Sequence, residues 1–113
     1  MAITFNTITK EQLKERLDRG ERIQIVDIRP YSAYFKEHIP KALHLPYDLV
    51  EERATEVLNY EEPIVLYGSD EKDVFTQRAA EILVSRKFDT RSLYLLAEGF
   101  IGWRGGGYFT ASE

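Results

Sequence analysis

A short polar loop follows a continuous apolar run and brings several chemically useful groups together. The run is Ile64-Val65-Leu66-Tyr67, and the loop is Gly68-Ser69-Asp70-Glu71-Lys72-Asp73. Such a run is typical of a strand buried in a parallel sheet, and loops at the carboxyl ends of these strands usually carry the chemistry. The loop offers one hydroxyl, three carboxylates and one amine. Of these, the hydroxyl of Ser69 is the obvious nucleophile, but it needs a positioned base.

The three carboxylates of this loop have a structural explanation and a functional consequence. Asp70 and Asp73 precede a strongly periodic segment, and acids there cap free N–H groups and complement the helix dipole, each contributing roughly 0.3–1 kcal/mol. We therefore expect both aspartates to be mainly structural. Together with Glu71 they also repel an external anion, by about 1 kcal/mol at ~4 Å in water and more in a less polar pocket. Anionic ligands are therefore expected to bind poorly.

Apolar periodicity places the loop in a chain of alternating strands and helices. We predict strands at residues 3–5, 23–28, 42–45, 64–67 and 93–96, and helices at 9–20, 31–37, 47–58 and 73–87. The first helix begins at a capping box, in which Thr9 and Gln12 exchange bonds, and Gly20 ends it. A Gly-rich segment around Trp103 closes the chain, and we interpret its glycines as turn residues. This alternation predicts a single α/β domain, with about five mainly parallel strands flanked by helices on both faces.

Four blocks of sequence resemble the rhodanese-like (sulfurtransferase) domain family. They are Val26-Asp27-Ile28-Arg29 with Tyr34 and His38-Ile39-Pro40-Lys41-Ala42-Leu43; Ile64-Val65-Leu66-Tyr67; Arg78-Ala79-Ala80 through Leu83; and Leu95 through Phe100 with Trp103 and Gly107-Tyr108. Their order and spacing match the family over about residues 20–110. The resemblance implies one rhodanese-like domain over residues 1–113.

In that family the residue at position 68 is the sulfur-carrying cysteine, whose thiolate or persulfide is stabilised by the loop N–H groups and the following helix. Here the residue is Gly68, and the chain contains no cysteine. The only sulfur belongs to Met1, and a thioether cannot form a persulfide. The resemblance therefore implies a vestigial active loop at residues 68–73 that does not transfer sulfur.

Other departures from the family pattern concern loop geometry more than the fold. Glu37 and Lys41 replace family glycines, Ala33 stands at a common acidic position, and Phe109 replaces the proline after the closing Gly-Tyr pair. An engineered replacement of one cysteine would account for Gly68 but not for the three acids that follow it.

Alternative chemistries have weaker support. A Ser69–His38–Asp27 arrangement is conceivable, but no G-x-S-x-G elbow surrounds Ser69, and His38 falls on the histidine that usually has a structural role in the family. We expect Asp27 and Arg29 to form an internal ion pair that holds the loop above the sheet. The two histidines and scattered carboxylates show no metal-ligand spacing, and the glycines match no phosphate-binding pattern, so we expect neither metal nor cofactor.

Composition limits the class of partner. The net charge of −4 argues against nucleic acids and anionic membranes, since both require clustered basic residues. No apolar stretch reaches the ~20 residues of a membrane span, and the first residues lack the pattern of a secretory signal, so we expect a cytoplasmic protein.

The leading hypothesis is a catalytically inactive rhodanese-like domain that acts as a binding or regulatory module. We expect a protein partner, preferably basic, at residues 69–73, with aromatic residues nearby; the candidates are Phe100, Trp103, Tyr108 and Phe109. The alternative for these aromatics is that Phe100 and Trp103 belong to the core. A competing hypothesis is an enzyme, either a sulfurtransferase by descent or one that uses Ser69.

Overall fold

The computed structural model describes residues 4–113 and contains five strands and five α-helices. The strands are β1 (Asn6–Ile8), β2 (Gln24–Asp27), β3 (Leu43–His44), β4 (Ile64–Tyr67) and β5 (Leu93–Leu96). The helices are α1 (Lys10–Asp18), α2 (Tyr31–Lys36), α3 (Tyr47–Val57), α4 (Val74–Ser85) and α5 (Gly99–Gly105), with a short 3-10 helix at Thr90–Ser92. In the described part of the chain, no helix is long and apolar enough to cross a membrane.

All five strands pair in parallel in one sheet, in the order β1-β5-β4-β2-β3. The predicted single α/β domain with a mainly parallel sheet is therefore confirmed. β4 lies at the centre, and all four of its residues are buried, which explains why its sequence is uniformly apolar. Because the strands are parallel, the segments that leave β2, β4 and β5 all emerge at the same edge of the sheet.

Helices cover both faces of the sheet, as the sequence predicts. On one face α3 and α4 pack over Val26, Leu66 and Leu93. On the other face α1, α2 and α5 contribute Leu13, Tyr34, Phe100 and Trp103 to a second core around Ile25, Val65 and Tyr67. The alternating side chains of β4 thus supply both cores.

Local signals at helix ends are reproduced. Thr9 caps α1 through the predicted capping box, since its hydroxyl accepts from Gln12 N at 3.0 Å and Thr9 N donates to the Gln12 side chain at 2.9 Å. Gly20 follows the end of α1 with φ of 79°, a left-handed conformation that glycine adopts without strain. Asp73 caps α4, as predicted.

Two predictions about the chain ends are wrong. The first strand is Asn6–Ile8, not residues 3–5: Thr4 and Phe5 are outside it, and Ile3 lies outside the described residues. This position lets Ile8 pair with Leu96 and enter the core. The Gly-rich segment is also not a series of turns, because Gly99–Gly105 forms α5. Burial of Phe100 and Trp103, one helical turn apart, outweighs the low helix propensity of glycine.

Candidate functional site

The loop at residues 68–73 connects β4 to α4 at the carboxyl edge of the sheet. Its first residue, Gly68, is buried, whereas residues 69–72 are exposed. The end of β2 lies beside the end of β4, with Asp27 in register with Tyr67. The loop therefore stands directly above the residues that the sequence singled out on β2.

A buried network of hydrogen bonds lies under the loop. The carboxylate of Asp27 accepts from Arg29 Nη2 at 2.7 Å, from Arg29 N at 2.8 Å and from the Tyr67 hydroxyl at 2.6 Å. Asp27 and Tyr67 are fully buried, and Arg29 is nearly so. Burial, reinforced by the negative charge of Asp27, raises the pKa of Tyr67 well above its usual value. The predicted internal ion pair of Asp27 and Arg29 is confirmed.

This network also ties together the segments around the loop. Arg29 Nη2 donates to Glu37 O at 2.7 Å, and the Tyr67 hydroxyl accepts from Ile39 N at 3.1 Å. The guanidinium of Arg29 stands 4.2 Å from the centre of the Phe100 ring. Charged and polar groups under the loop are thus used to hold the chain, and their partners are all internal.

Within the loop, the aspartates bind backbone N–H groups. Asp70 Oδ1 accepts from Lys72 N at 2.8 Å, and Asp73 Oδ1 accepts from Phe75 N at 3.0 Å. The second oxygen of Asp73 reaches backward and accepts from Ser69 N at 2.9 Å. Asp73 therefore caps α4 as expected, whereas Asp70 binds an N–H group inside the loop and none of the helix. The sequence did not predict the hydrogen bond from Ser69 N to Asp73, because this bond depends on the backbone conformation of residues 69–73.

The carboxylate of Asp73 also occupies the space beside Gly68. A Cβ atom placed on Gly68 would collide with Asp73 Oδ2 and would lie 2.6 Å from the hydroxyl oxygen of Thr76, a buried residue. Any larger residue at position 68 must therefore displace Asp73, and displacement breaks its bond to Ser69 N. As it stands, the loop leaves no room for a side chain at position 68.

Helix α5 supports the loop from behind. Phe100 N donates to Gly68 O at 2.9 Å, and Ile101 N donates to Ser69 O at 3.1 Å. Gly99 makes this approach possible, since its φ is 61° and an added Cβ would lie 2.7 Å from Asp70 N and 2.9 Å from Gly68 O. These are backbone atoms that cannot move aside cheaply. The glycine is required because two backbone segments meet here.

The structure does not assemble a serine triad. His38 Nδ1 bonds to Tyr34 O at 2.8 Å, its ring stacks on the Tyr34 ring, and its backbone pairs with Ala111. The carboxylate of Asp27 is taken by Arg29 and Tyr67, and no hydrogen bond within residues 4–113 joins Ser69, His38 and Asp27. His38 therefore has a structural role, as expected.

The aromatic residues expected near the loop are placed differently. Phe100 and Trp103 are in the core, with 5% and 2% exposure. Tyr108 packs on Trp103, and Phe109 lines a groove with Ile23 and Glu62, which precede strands and so belong to the opposite edge of the sheet. The alternative, that Phe100 and Trp103 belong to the core, is confirmed, and the four aromatics do not form one exposed patch beside residues 69–73.

Other aromatic residues stand beside the loop instead. A groove of about 880 Å³ is lined by Tyr31, Tyr47, Val74 and Phe75 together with Asp48 and Asp70, and we call it the aromatic groove. Each of these apolar residues begins a helix that follows a strand: Tyr31 follows Pro30, Tyr47 follows Pro46, and Val74 and Phe75 follow the Asp73 cap. Helix starts after parallel strands face the carboxyl edge, so this signal was present in the sequence.

The chain is similar in sequence to a described domain family and to a curated protein. The chain matches the family described as "Rhodanese-like domain" over residues 9–105. A Bacillus subtilis (strain 168) protein named "Putative sulfur carrier protein YrkF" is 29% identical over 104 residues, which cover 92% of this chain and 54% of that protein. The chain therefore spans about half the length of this curated relative.

Solved structures give the same result. The crystal structure of the Alr3790 protein from Anabaena sp. is 30% identical, with a TM-score of 0.84, covering 94% of this chain and 82% of that chain. A solution structure of the rhodanese-like domain of Alr3790 is 28% identical, with a TM-score of 0.84 and coverage of 97% and 81%. The BH2092 protein from Bacillus halodurans is 25% identical, with a TM-score of 0.86 and coverage of 95% and 77%.

Proposed function

We propose that this chain, which belongs to the rhodanese-like domain family, is a non-catalytic binding or regulatory module. Sulfur transfer through a persulfide requires a thiolate, and the chain contains no cysteine. The Bacillus subtilis relative is named a putative sulfur carrier, and this chain covers only 54% of its length. The module instead uses the surface at residues 69–73 to contact another protein.

One observation supports the loss of catalysis more than any other. Asp73 places its carboxylate where the side chain of residue 68 would begin, and it accepts the N–H of Ser69. A nucleophile at position 68 would need both that space and that N–H group, and it would face a negative charge in contact with it. The loop is therefore adapted to glycine, and we expect that a cysteine side chain at position 68 alone does not restore the site.

The hydrogen-bond network under the loop supports a retained binding function rather than the loss of all function. The Asp27–Arg29–Tyr67 network is complete, and in the described part of the chain every buried side-chain nitrogen and oxygen has a hydrogen-bond partner. Such a network holds the loop in one shape, which is useful for recognition even without chemistry.

The catalytic part of the proposal is tested with thiosulfate and cyanide. Purified wild-type protein is expected to form no thiocyanate above the uncatalysed background. Turnover in a contaminant-free preparation would overturn the proposal.

A cysteine probe tests the role of Asp73 directly. Gly68→Cys is expected to react slowly with iodoacetamide near neutral pH, because the neighbouring carboxylates raise the pKa of a thiol there. Adding Asp73→Ser, which keeps an N-capping hydroxyl, removes the clash with Asp73 Oδ2 and its charge while the Thr76 hydroxyl stays in place, and alkylation should accelerate roughly tenfold, the effect of about one pKa unit. Gly68→Cys with Glu71→Ser is the matched control, since it removes an equal charge but no obstruction. Equal rates in all three variants would show that Asp73 does not block the site.

The binding part of the proposal is tested by capture from the source cell. Wild-type protein should retain a partner that is lost with Asp70→Ala and Glu71→Ala, which leave the Asp73 cap in place. Identical recovery by a folded variant would remove this loop from the binding surface.

A further inference from the structure

The aromatic groove beside the loop exposes three large apolar side chains. Tyr31, Val74 and Phe75 are 59%, 57% and 45% exposed. The ring of Tyr47 packs against the ring of Phe75, with their centres 4.8 Å apart, so two aromatic surfaces form one wall. Contiguous exposed apolar groups rimmed by polar residues mark interaction sites, and aromatic residues are enriched at such sites.

The charges around the groove are mostly negative and are not neutralised by the chain. Asp48, Asp70 and Asp73 line it, against Lys72 and Arg29. Arg29 is already paired with Asp27 at 2.7 Å and is buried, so its charge is balanced internally. Within residues 4–113, no ion pair shorter than 4.0 Å involves the three groove aspartates or Lys72.

The N–H groups bound by these aspartates do not cancel their charge. Asp70 and Asp73 accept from backbone donors, which are neutral dipoles, and Asp48 stands exposed in the first turn of α3. The groove therefore presents three carboxylates and one ammonium group next to aromatic rings. This combination attracts cations and repels anions.

We propose that the aromatic groove binds a peptide segment of a partner protein in which lysine or arginine lies between apolar residues. This inference rests on the proposed binding function and specifies its ligand. The apolar side chains of the segment cover Tyr31, Val74 and Phe75, while its cation approaches Asp48 and Asp70.

Aromatic rings at this edge already accept guanidinium groups from the chain itself. Arg29 stands 4.2 Å from the centre of the Phe100 ring, and Arg78 stands 5.6 Å from the centre of the Phe75 ring. Arg78 does not line the groove, but its guanidinium already lies over the Phe75 ring that does. A cation from a partner would therefore gain the carboxylates of Asp48 and Asp70 and the exposed ring of Tyr31.

The probe for this proposal is a phage-displayed random dodecapeptide library panned against the wild-type protein. Enriched peptides are expected to contain lysine or arginine flanked by apolar residues. Their affinity should fall as salt rises from 50 to 500 mM, because screening weakens the attraction. Enrichment of acidic or cation-free peptides, or no enrichment over the unpanned library, would overturn the proposal.

Two pairs of variants then locate the site with a synthetic copy of the most enriched peptide. Asp48→Asn with Asp70→Asn should weaken binding roughly tenfold, since asparagine keeps the acceptor for Lys72 N but loses the charge. The control, Glu52→Gln with Glu56→Gln, removes the same charge from exposed residues of α3 outside the groove. Phe75→Ala should also weaken binding roughly tenfold, whereas Phe109→Ala removes an exposed aromatic at the opposite edge and should not.

The outcomes separate this inference from the proposed function. Equal loss in the groove variants and their controls, with melting temperatures unchanged, would overturn the groove as the site. Thiocyanate formation would overturn the non-catalytic function, and that assay does not depend on the peptide.

Discussion

Two sets of carboxylates lie at the carboxyl edge of this sheet, and the structure uses them in opposite ways. Asp27 is buried and satisfied on all sides by Arg29 and Tyr67. Asp70 and Glu71 are exposed in the loop that follows β4, and neither has an ion-pair partner within 4.0 Å in the described chain. The buried set holds the shape of the loop, while the exposed set determines the charge that a ligand meets. Substitutions at Asp70 or Glu71 should therefore alter the charge of the loop without disturbing the buried bonds of Asp27.

The largest effect is expected from breaking the buried set. Asp27→Ala leaves the guanidinium of Arg29 buried without a counter-ion, which should cost about 3–5 kcal/mol of unfolding free energy. Asp89→Ala is the matched control, because Asp89 pairs with Arg91 at 2.8 Å on the surface and such pairs contribute about 0–1 kcal/mol. Urea denaturation measures both. Similar losses in the two variants would contradict the contrast between framework and surface.

The next effect concerns the contact between the loop and α5. Gly99→Ala adds a Cβ against backbone atoms of Asp70 and Gly68 at a positive φ, and should cost about 2–4 kcal/mol. Gly20→Ala has a similar φ of 79° but meets nothing within 4 Å, so it should cost only about 1–2 kcal/mol. Thermal unfolding measures both. An equal loss would mean that φ alone, and not the loop contact, explains the requirement for glycine.

Tyr67→Phe tests the network with a smaller change. Removing the hydroxyl leaves Ile39 N without its acceptor and should cost about 1–3 kcal/mol at pH 8. The folded state raises the pKa of Tyr67, whereas the unfolded chain releases this proton near pH 10. Wild-type stability should therefore fall above about pH 10, by up to about 1.4 kcal/mol per pH unit from this group, and the variant lacks this loss.

The measurement is urea denaturation of both proteins at pH 8 and pH 11. The difference between them should narrow at the higher pH, because wild type alone loses the contribution of Tyr67. A constant difference would indicate that the Tyr67 hydroxyl titrates in the same way in both states.

The smallest effects are expected from single acids of the loop. Asp73→Ala removes the cap of α4 and should cost about 1 kcal/mol, a typical value for an N-cap. Glu71→Ala should stay within about 0.5 kcal/mol, since no hydrogen bond or ion pair of Glu71 occurs within residues 4–113. Melting temperatures of the two variants check this order, and a large loss in Glu71→Ala would show that the exposed acids also support the framework.

Much of the fold follows from local pattern. The central strand at residues 64–67, the capping box at Thr9 and the cap at Asp73 are where the sequence places them, because each depends on residues within a few positions of one another. The family blocks likewise place Gly68 at the head of the loop. The absence of cysteine is a property of the sequence alone.

Other features depend on distant parts of the chain. α5 forms in a Gly-rich segment because Phe100 and Trp103 find a core to enter, and Gly99 meets the loop only after the sheet has assembled. The backward bond from Ser69 N to Asp73 depends on the loop being held between β4, α4 and α5. The aromatic groove arises because three helix starts meet at one edge. The spacing of residues in the sequence predicts contacts between near neighbours in the chain. The contacts described here join distant segments, and the order of the parallel strands determines which segments meet.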